Sequence, residues 1–206
     1  APLRAPMAVY RREFKMPFVW DGRQIFLHMG RVSGAYYVYV NGQLAGYSED
    51  SKAPSEFDIT RLVEEGMNSL AIVAYAEPDA SVLENQLTTS GTRVAGDLYI
   101  LAQPRIRIRD YTVTTQFDPT GTAGLLNFGV QLKTHLLNPR DMVIHFELID
   151  PDGQTVTTFY RDAGIDMRDE LPIYFFQNIP NIRKWSHEDP SLYTVLAKHQ
   201  HEGRLT

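Results

Sequence analysis

Carboxyl and imidazole side chains are the groups of this sequence that could transfer protons or hold a metal ion. Glu49 and Asp50 are adjacent, and neighbouring side chains of an extended chain point to different faces, so they do not form the facing pair that acid–base chemistry needs. His199 and His201 would share one face of a strand and could bind a divalent cation, but the sequence supplies no third ligand. We therefore expect no catalytic residue and no metal site in this chain.

The stretch YVYVNGQLAGYS, which begins at Tyr37, carries tyrosines that could stack on a sugar ring. Asn41-Gly42 is the strongest short signal for a two-residue hairpin turn, because both central residues need positive φ. Tyr37 and Tyr39 then share one face of the first strand, and Tyr36 shares the other face with two valines. Both faces are bulky, so we expect this strand to be buried between layers and its tyrosines to serve the sheet.

Composition excludes several classes of partner. The chain has 206 residues, 43% hydrophobic and 22% charged, with a net charge of −5, so it lacks the basic excess that a phosphate backbone requires and no nucleic acid is expected as a partner. It has no cysteine, which excludes disulfides and leaves both the cytoplasm and an envelope compartment such as the periplasm open as its location. No apolar run is long enough to span a membrane, so no membrane partner is expected.

Short alternating runs separated by Gly, Pro, Asn and Asp dominate the chain, which is typical of β-sandwiches. A helical turn is predicted at RLVEE, with Thr60 as its N-cap and Gly66 ending it in the left-handed conformation. Trp20 is expected at a corner where Asp21-Gly22 reverses the chain. In the first half, the runs predict strands at Val9–Lys15, Gln24–Met29, Tyr36–Val40, Leu44–Ser48, Ser69–Ala76 and Asp97–Leu101.

A domain boundary is predicted at residues 102 to 104, because Pro104 separates two sets of alternating runs; it divides the chain into domains 1–103 and 104–206. DPDG, at residues 150 to 153, predicts a turn in the second half. The strands predicted there are Tyr111–Phe117, Leu126–Leu132, Met142–Ile149, residues 154–160, Ile173–Gln177 and Leu192–His199. They approach an immunoglobulin-like sandwich of about seven strands.

The end of the second half carries two further predictions. Glu202-Gly203 is predicted to be a turn that launches one more strand, so we expect the chain to be cut from a longer polypeptide. Trp185, with Pro190 and Tyr193, is predicted to plug the base of the second sandwich and not to stack on a sugar.

Four segments carry a family resemblance. YRREFKMP, GRQIFLHMGRVSGAYYVYVNGQLAGYSEDSKAPSEFDIT, GMNSLAIVAYA and RKWSHEDPSLYTV resemble, in order and spacing, the N-terminal region of bacterial β-galactosidases of glycoside hydrolase family 2. The resemblance implies an all-β fold, in which a jelly-roll, galactose-binding-domain-like β-sandwich is followed by an immunoglobulin-like β-sandwich. It also implies a downstream TIM barrel that carries both catalytic glutamates, the acid just after an asparagine. No Asn-Glu dipeptide occurs here, and no cofactor is expected in this chain, although full-length enzymes of the family commonly use Mg and Na.

One loop departs from the family pattern. Family members carry a Leu-Glu-Asp-Gln-Asp segment whose final acidic residue reaches galactose and a monovalent cation. Leu83, Glu84 and Gln86 match this segment, but the acidic position is Leu87, and a leucine cannot coordinate a cation or accept a hydrogen bond. Either the loop is remodelled, with Glu84, Asn85 or Gln86 taking over, or the pocket of the parent enzyme differs; loss of the inherited contact is favoured.

These observations leave more than one function open. The leading hypothesis is a non-catalytic N-terminal fragment of a β-galactosidase-type enzyme that braces the barrel, shapes its pocket and contributes oligomer contacts, with terminal β-galactosides as the substrate of the parent. The parent could instead be a β-glucuronidase or a β-mannosidase of the same family. A free-standing carbohydrate-binding module is an alternative, with Tyr47, Tyr75 and Glu84 as its sugar contacts. A purely structural pairing of two sandwiches is a third.

Overall fold

The computed structural model of the chain describes residues 6–76, 78–79, 92–166, 170–201 and 204–205. Backbone contacts divide the chain into two compact units, Ala1–Pro104 and Arg105–Thr206, each with its own hydrophobic core. Strands form nearly all of the regular structure, and the one helix among these residues is a 3₁₀ turn at Phe18–Trp20. The prediction of an all-β chain is therefore confirmed. In the same residues, no helix is long and apolar enough to cross a membrane.

The first unit contains two antiparallel sheets around one core. One sheet has the strand order β1-β6-β3-β4 and the other β5-β2-β7. Their inward side chains form the core, with Leu27, Val38 and Ile59 fully buried. The strands are β1 Met7–Met16, β2 Gln24–Val32, β3 Ala35–Val40, β4 Gln43–Ser48, β5 Ser55–Asp58, β6 Gly66–Tyr75 and β7 Val94–Gln103.

The hairpin between β3 and β4 forms as predicted. Asn41 and Gly42 have φ of 51° and 78°, the values of a type I′ turn. The Asn41 amide nitrogen donates to the Leu62 carbonyl at 2.9 Å and to the Asn68 side-chain oxygen at 2.8 Å, and its side-chain oxygen accepts from the Ser69 backbone N–H at 2.9 Å. The turn is thereby fixed to the segment that leads into β6.

The prediction that both faces of β3 are buried is wrong. Tyr36, Val38 and Val40 face the core and are at most 1% exposed. Tyr37 and Tyr39, on the opposite face, are only partly buried. The reason is that the second sheet of this unit packs against one face of the β1-β6-β3-β4 sheet, and the tyrosines lie on the other.

The predicted helix at RLVEE is a turn. The backbone N–H groups of Leu62 and Val63 both donate to the Ile59 carbonyl, at 2.9 and 3.2 Å, and no further turn follows. Thr60 is not the cap, because its hydroxyl accepts from the Ile25 backbone N–H at 2.9 Å. The Asp58 carboxylate takes the capping place and accepts from the Thr60 N–H at 3.0 Å.

The second unit also contains two antiparallel sheets, with strand orders β12-β9-β8 and β11-β10-β13-β14. Phe146 is fully buried between them, edge-on to Phe128 at 5.0 Å and 4.0 Å from Phe175, measured between ring centroids. The strands are β8 Ile106–Phe117, β9 Ala123–Thr134, β10 Arg140–Ile149, β11 Thr155–Ile165, β12 Glu170–Pro180, β13 Thr194–His201 and β14 Arg204–Leu205.

The turn predicted at DPDG is confirmed, and the strand predicted to follow residue 203 is present. The Gly153 N–H donates to the Asp150 carbonyl at 3.0 Å, and Gly153 has a φ of 80°, so DPDG forms the turn between β10 and β11. β14 follows β13 and pairs with it in an antiparallel ladder, as predicted for a strand launched there. The two turn residues themselves, 202 and 203, lie outside the described ranges.

The prediction that Trp185, Pro190 and Tyr193 plug the base of the second sandwich holds for Tyr193, which packs against the core, and is wrong for Trp185, whose side chain is 60% exposed. The Ile182 side chain occupies the space that a Cβ at Gly124 would need. Trp185 instead lines a largely apolar surface cavity of about 340 Å³.

Candidate functional site

Tyr37, Tyr47 and Tyr75 form a cluster on the outer face of the β1-β6-β3-β4 sheet. Tyr37 lies directly opposite Tyr47 in the β3–β4 ladder, and their ring centroids are 4.8 Å apart. Tyr75, the last residue of β6, stands at the diagonal position to Tyr37, edge-on, with 6.2 Å between centroids. Cross-strand and diagonal neighbours on one face are within reach of aromatic side chains. We call these three residues the tyrosine cluster.

Glu49 places a carboxylate beside the tyrosine cluster. The Tyr47 hydroxyl donates to the Glu49 carboxylate at 2.7 Å. This hydrogen bond, together with partial burial and the negative charge of Glu49, raises the pKa of Tyr47 from 10.0 to about 12. The Tyr47 hydroxyl is therefore protonated throughout the physiological range, and the carboxylate keeps lone pairs for a further donor.

The structure brings together two of the five residues predicted to contact sugar. Tyr47 and Tyr75 meet through Tyr37, which the sequence analysis assigned to the sheet alone. The other three, Glu84, Asn85 and Gln86, lie in residues 80–91, outside the part of the chain that is described. Tyr75 ends β6 shortly before that segment.

The arrangement of the tyrosine cluster suits binding and not bond cleavage. Aromatic faces carry a negative quadrupole that attracts the C–H face of a sugar ring, and a carboxylate can accept hydrogen bonds from sugar hydroxyls. Tyr47 is 46% exposed, so a ligand can reach its ring. A few polar groups beside apolar surface are the usual composition of a small-molecule site.

Asp50 and His199, two of the residues considered for chemistry in the sequence, lie in structural surroundings. The Asp50 carboxylate accepts from the backbone N–H groups of Lys52 and Ala53, each at 2.9 Å, and these bonds lower the pKa of Asp50. His199 is only 6% exposed, within the second unit. Over the described ranges, no three His, Asp or Glu side chains are placed to hold a metal ion.

Family comparisons cover the whole chain. Residues 1–109 match the family described as "Glycosyl hydrolases family 2, sugar binding domain", and residues 106–206 match "Glycosyl hydrolases family 2". Together with the paired sheets of each unit, these matches confirm the predicted fold class, a jelly-roll sandwich followed by an immunoglobulin-like sandwich.

Curated relatives extend the comparison. A β-galactosidase of Priestia megaterium is 30% identical over 192 residues, covering 93% of this chain and 19% of the relative. A β-galactosidase of Clostridium acetobutylicum is 32% identical over 201 residues, covering 97% of this chain and 21% of the relative. The chain thus spans about a fifth of the length of the curated relatives that it matches.

Solved structures share the fold at low identity. A Bacteroides uniformis β-glucuronidase 2 superposes with a TM-score of 0.83 at 19% identity, covering 96% of this chain and 25% of that one. A putative β-galactosidase of Bacteroides fragilis gives a TM-score of 0.83 at 19% identity, covering 98% of this chain and 31% of that one. At such identities the likeness speaks for the fold alone.

Proposed function

The chain belongs to glycoside hydrolase family 2, and from this premise we propose that it is the non-catalytic N-terminal region of an enzyme that hydrolyses terminal β-galactosides. The proposal rests on one observation. Two β-galactosidases, 30% and 32% identical to this chain, align with almost all of it, and the alignment covers about a fifth of each relative. The β-glucuronidase likeness, at 19% identity, speaks only for the fold and does not favour a glucuronide.

The chemistry belongs to a downstream barrel in this proposal. Retaining glycoside hydrolysis needs two carboxyl groups about 5 to 5.5 Å apart on either side of the glycosidic bond. Glu49 and Asp50 turn to different partners, a tyrosine hydroxyl and two backbone N–H groups. The two sandwiches brace the barrel and shape one wall of its pocket, and they contribute contacts to further copies of the enzyme.

The sugar contact of the first unit lies, in this proposal, between the tyrosine cluster and the segment that follows it. Tyr75 and Tyr47 supply aromatic faces, and Glu84, Asn85 and Gln86 supply hydrogen bonds to hydroxyl groups. Leu87 stands where the family carries its acidic ligand, so the inherited contact to a monovalent cation is lost.

Hydrolysis assays test the main proposal. The polypeptide that carries this chain together with its barrel is expected to release nitrophenol from a β-galactoside and not from a β-glucuronide or a β-mannoside, and residues 1–206 alone are expected to release none. Hydrolysis by residues 1–206 that is abolished by Glu49→Gln would contradict the proposal. Preference of the longer polypeptide for the glucuronide would overturn its substrate.

The tyrosine cluster supports a second candidate function, that of a carbohydrate-binding module. Calorimetric titration of residues 1–206 with lactose is expected to give saturable binding that Tyr47→Ala weakens. Tyr99→Ala is the matched control, because Tyr99 is 45% exposed, like Tyr47 at 46%, but lies on the β5-β2-β7 sheet. Equal loss of binding in both variants, or no saturable binding in the unaltered chain, would reject this candidate.

A further inference from the structure

We propose that the second unit carries its own carbohydrate site, on the outer face of the β12-β9-β8 sheet, where Tyr174 forms an aromatic platform beside Arg109, Gln131 and Glu170. Its ligand is a neutral pyranoside. This site is independent of the proposed function, because it uses residues of the immunoglobulin-like unit and needs neither the tyrosine cluster nor a barrel.

Gly129 holds the platform in place. Tyr174 pairs with Gly129 across the β12–β9 ladder, and a Cβ at Gly129 would come within 2.9 Å of the Cδ1 and Cε1 atoms of the Tyr174 ring. The ring therefore lies across the glycine, in space that any other residue would occupy. Tyr174 is 56% exposed, so its other side is open. A ring held in this way loses little conformational freedom when a ligand stacks on it.

A network of paired polar side chains borders the platform. Glu170 accepts from Arg109, from the Lys133 ammonium at 2.9 Å and from the Gln131 amide at 3.3 Å. The hydrogen bond from Lys133 is the main cause that lowers the pKa of Glu170, so the carboxylate is ionised at neutral pH. The network presents both donors and acceptors, already oriented by one another.

The charge balance selects a neutral ligand. Arg109 and Lys133 are paired with Glu170, and Asp110 and Glu170 are the two described carboxylates that line the cavity. Among the described residues, an anionic ligand would face these two carboxylates, and both neighbouring cations are already paired with Glu170. A sugar hydroxyl both donates and accepts, and it can therefore use the guanidinium, the amide and the carboxylate together.

The cavity has the size of a small-sugar site. Its volume is about 320 Å³, and Thr112, Gly129 and Gln131 are among the residues that line it. Pockets for small molecules span about 300 to 1,000 Å³, so this one lies at the small end of that range. Phe176 lies on the same face of β12 and is 73% exposed, but it does not line the cavity.

NMR titration of residues 1–206 with methyl β-D-galactopyranoside and with lactose tests the proposal. We expect saturable shifts of the amides of Thr112, Gly129 and Gln131. Tyr174→Ala should weaken binding at these amides about tenfold, and Tyr174→Phe should keep it, because the ring and not the hydroxyl stacks. Phe176→Ala is the control and should bind as the unaltered chain does.

A second variant displaces the platform and keeps its ring. Gly129→Ala forces the Tyr174 ring away from its place, so the affinity should fall while the dispersed spectrum shows that the unit is folded. Absence of saturable shifts at this face, equal losses in Tyr174→Ala and Phe176→Ala, or tighter binding of glucuronate than of the neutral sugars would overturn the proposal. Shifts confined to the tyrosine cluster would also overturn it, while leaving the proposed function intact.

Discussion

At the residue scale, the hydrogen bond that the Tyr47 hydroxyl donates to the Glu49 carboxylate changes the pKa of one member of the tyrosine cluster. A phenol that donates to a carboxylate resists ionisation, since its anion would lose the bond and be repelled by the charge. Tyr47 therefore ionises later than an ordinary tyrosine, with a pKa of about 12 against 10.0. The bond stabilises the fold only while the phenol holds its proton.

The first prediction follows from this direction of shift. Because the pKa of Tyr47 is raised on folding, its stabilising contribution is complete below about pH 10 and is lost as the pH rises towards about 12. Absorbance titration should show a late phenolic transition that Tyr47→Phe removes and that Glu49→Gln moves back towards 10.0. A late transition that survives Tyr47→Phe would contradict this assignment.

Asn68 is the buried polar residue on which the hairpin turn depends. It is 3% exposed, accepts from Asn41 at 2.8 Å and from the Glu64 N–H at 2.7 Å, and donates to the Glu64 carbonyl at 2.8 Å. Removal of a buried partner leaves the remaining groups without water or protein to satisfy them.

The second prediction is that Asn68→Ala lowers the free energy of unfolding of the first unit by about 1–3 kcal/mol. Urea denaturation followed by circular dichroism measures it. Asn178→Ala, at an exposed position of β12, is the control and should stay within about 0.5 kcal/mol of the unaltered chain. A loss of the same size in both variants would refute the role given to Asn68.

At the scale of elements, a bulge in the β3–β4 hairpin decides which tyrosines meet. A regular two-residue hairpin would set Tyr37 opposite Gly46. The register instead shifts between Val38 and Tyr39, so that Val38 lies opposite Gly46 and Tyr37 opposite Tyr47. The same shift turns Gly46 to the inner side, where a Cβ would overlap the Phe57 ring.

The third prediction is that Gly46→Ala destabilises the first unit by about 1–3 kcal/mol, because it overpacks the contact with Phe57. Denaturant unfolding measures the loss. The double variant Gly46→Ala with Phe57→Leu tests the cause, since a smaller side chain makes room for the methyl group. If the two losses simply add, overlap with Phe57 is not their origin.

Most of these strands can be predicted from the sequence, whereas several contacts between them cannot. Alternation of apolar residues predicts the described strands that are long enough to repeat it, but it does not predict β5, which has four residues. Thr60 was misassigned as a cap because its hydroxyl bonds to Ile25, 35 positions away in the sequence. The sequence indicates Tyr47 and Tyr75 as site residues. It does not predict that both contact Tyr37, because that contact depends on a β-bulge without a local sequence signal. Ile182, and not Trp185, lies against Gly124, and this contact joins segments that are far apart in the sequence.

At the scale of the whole molecule, each unit is stabilised by a core of its own. Phe146 is fully buried in the second and contacts two further aromatic rings. Trp20 lies in the first unit and Trp185 in the second, and the sequence contains two tryptophans. Fluorescence can therefore follow one unit at a time.

The fourth prediction is that Phe146→Ala lowers the free energy of unfolding of the second unit by about 3–5 kcal/mol, because it leaves a cavity between the sheets. In a Trp20→Phe background, Trp185 fluorescence in guanidinium reports that transition. Phe176→Ala, at a position 73% exposed, is the control and should change it by no more than about 0.5 kcal/mol. Equal losses of unfolding free energy in the two variants would show that Phe146 does not stabilise the core more than an exposed residue does.

The hydrogen bonds that hold Asn41 also affect the chemical lifetime of the protein. In an Asn-Gly pair, the glycine nitrogen can attack the side-chain amide, expel ammonia and form a succinimide that hydrolyses to isoaspartate. That attack requires the carboxamide to rotate towards the backbone. Here its nitrogen is held by Leu62 and Asn68 and its oxygen by Ser69, so the bonds that fix the hairpin also protect it against ageing by deamidation.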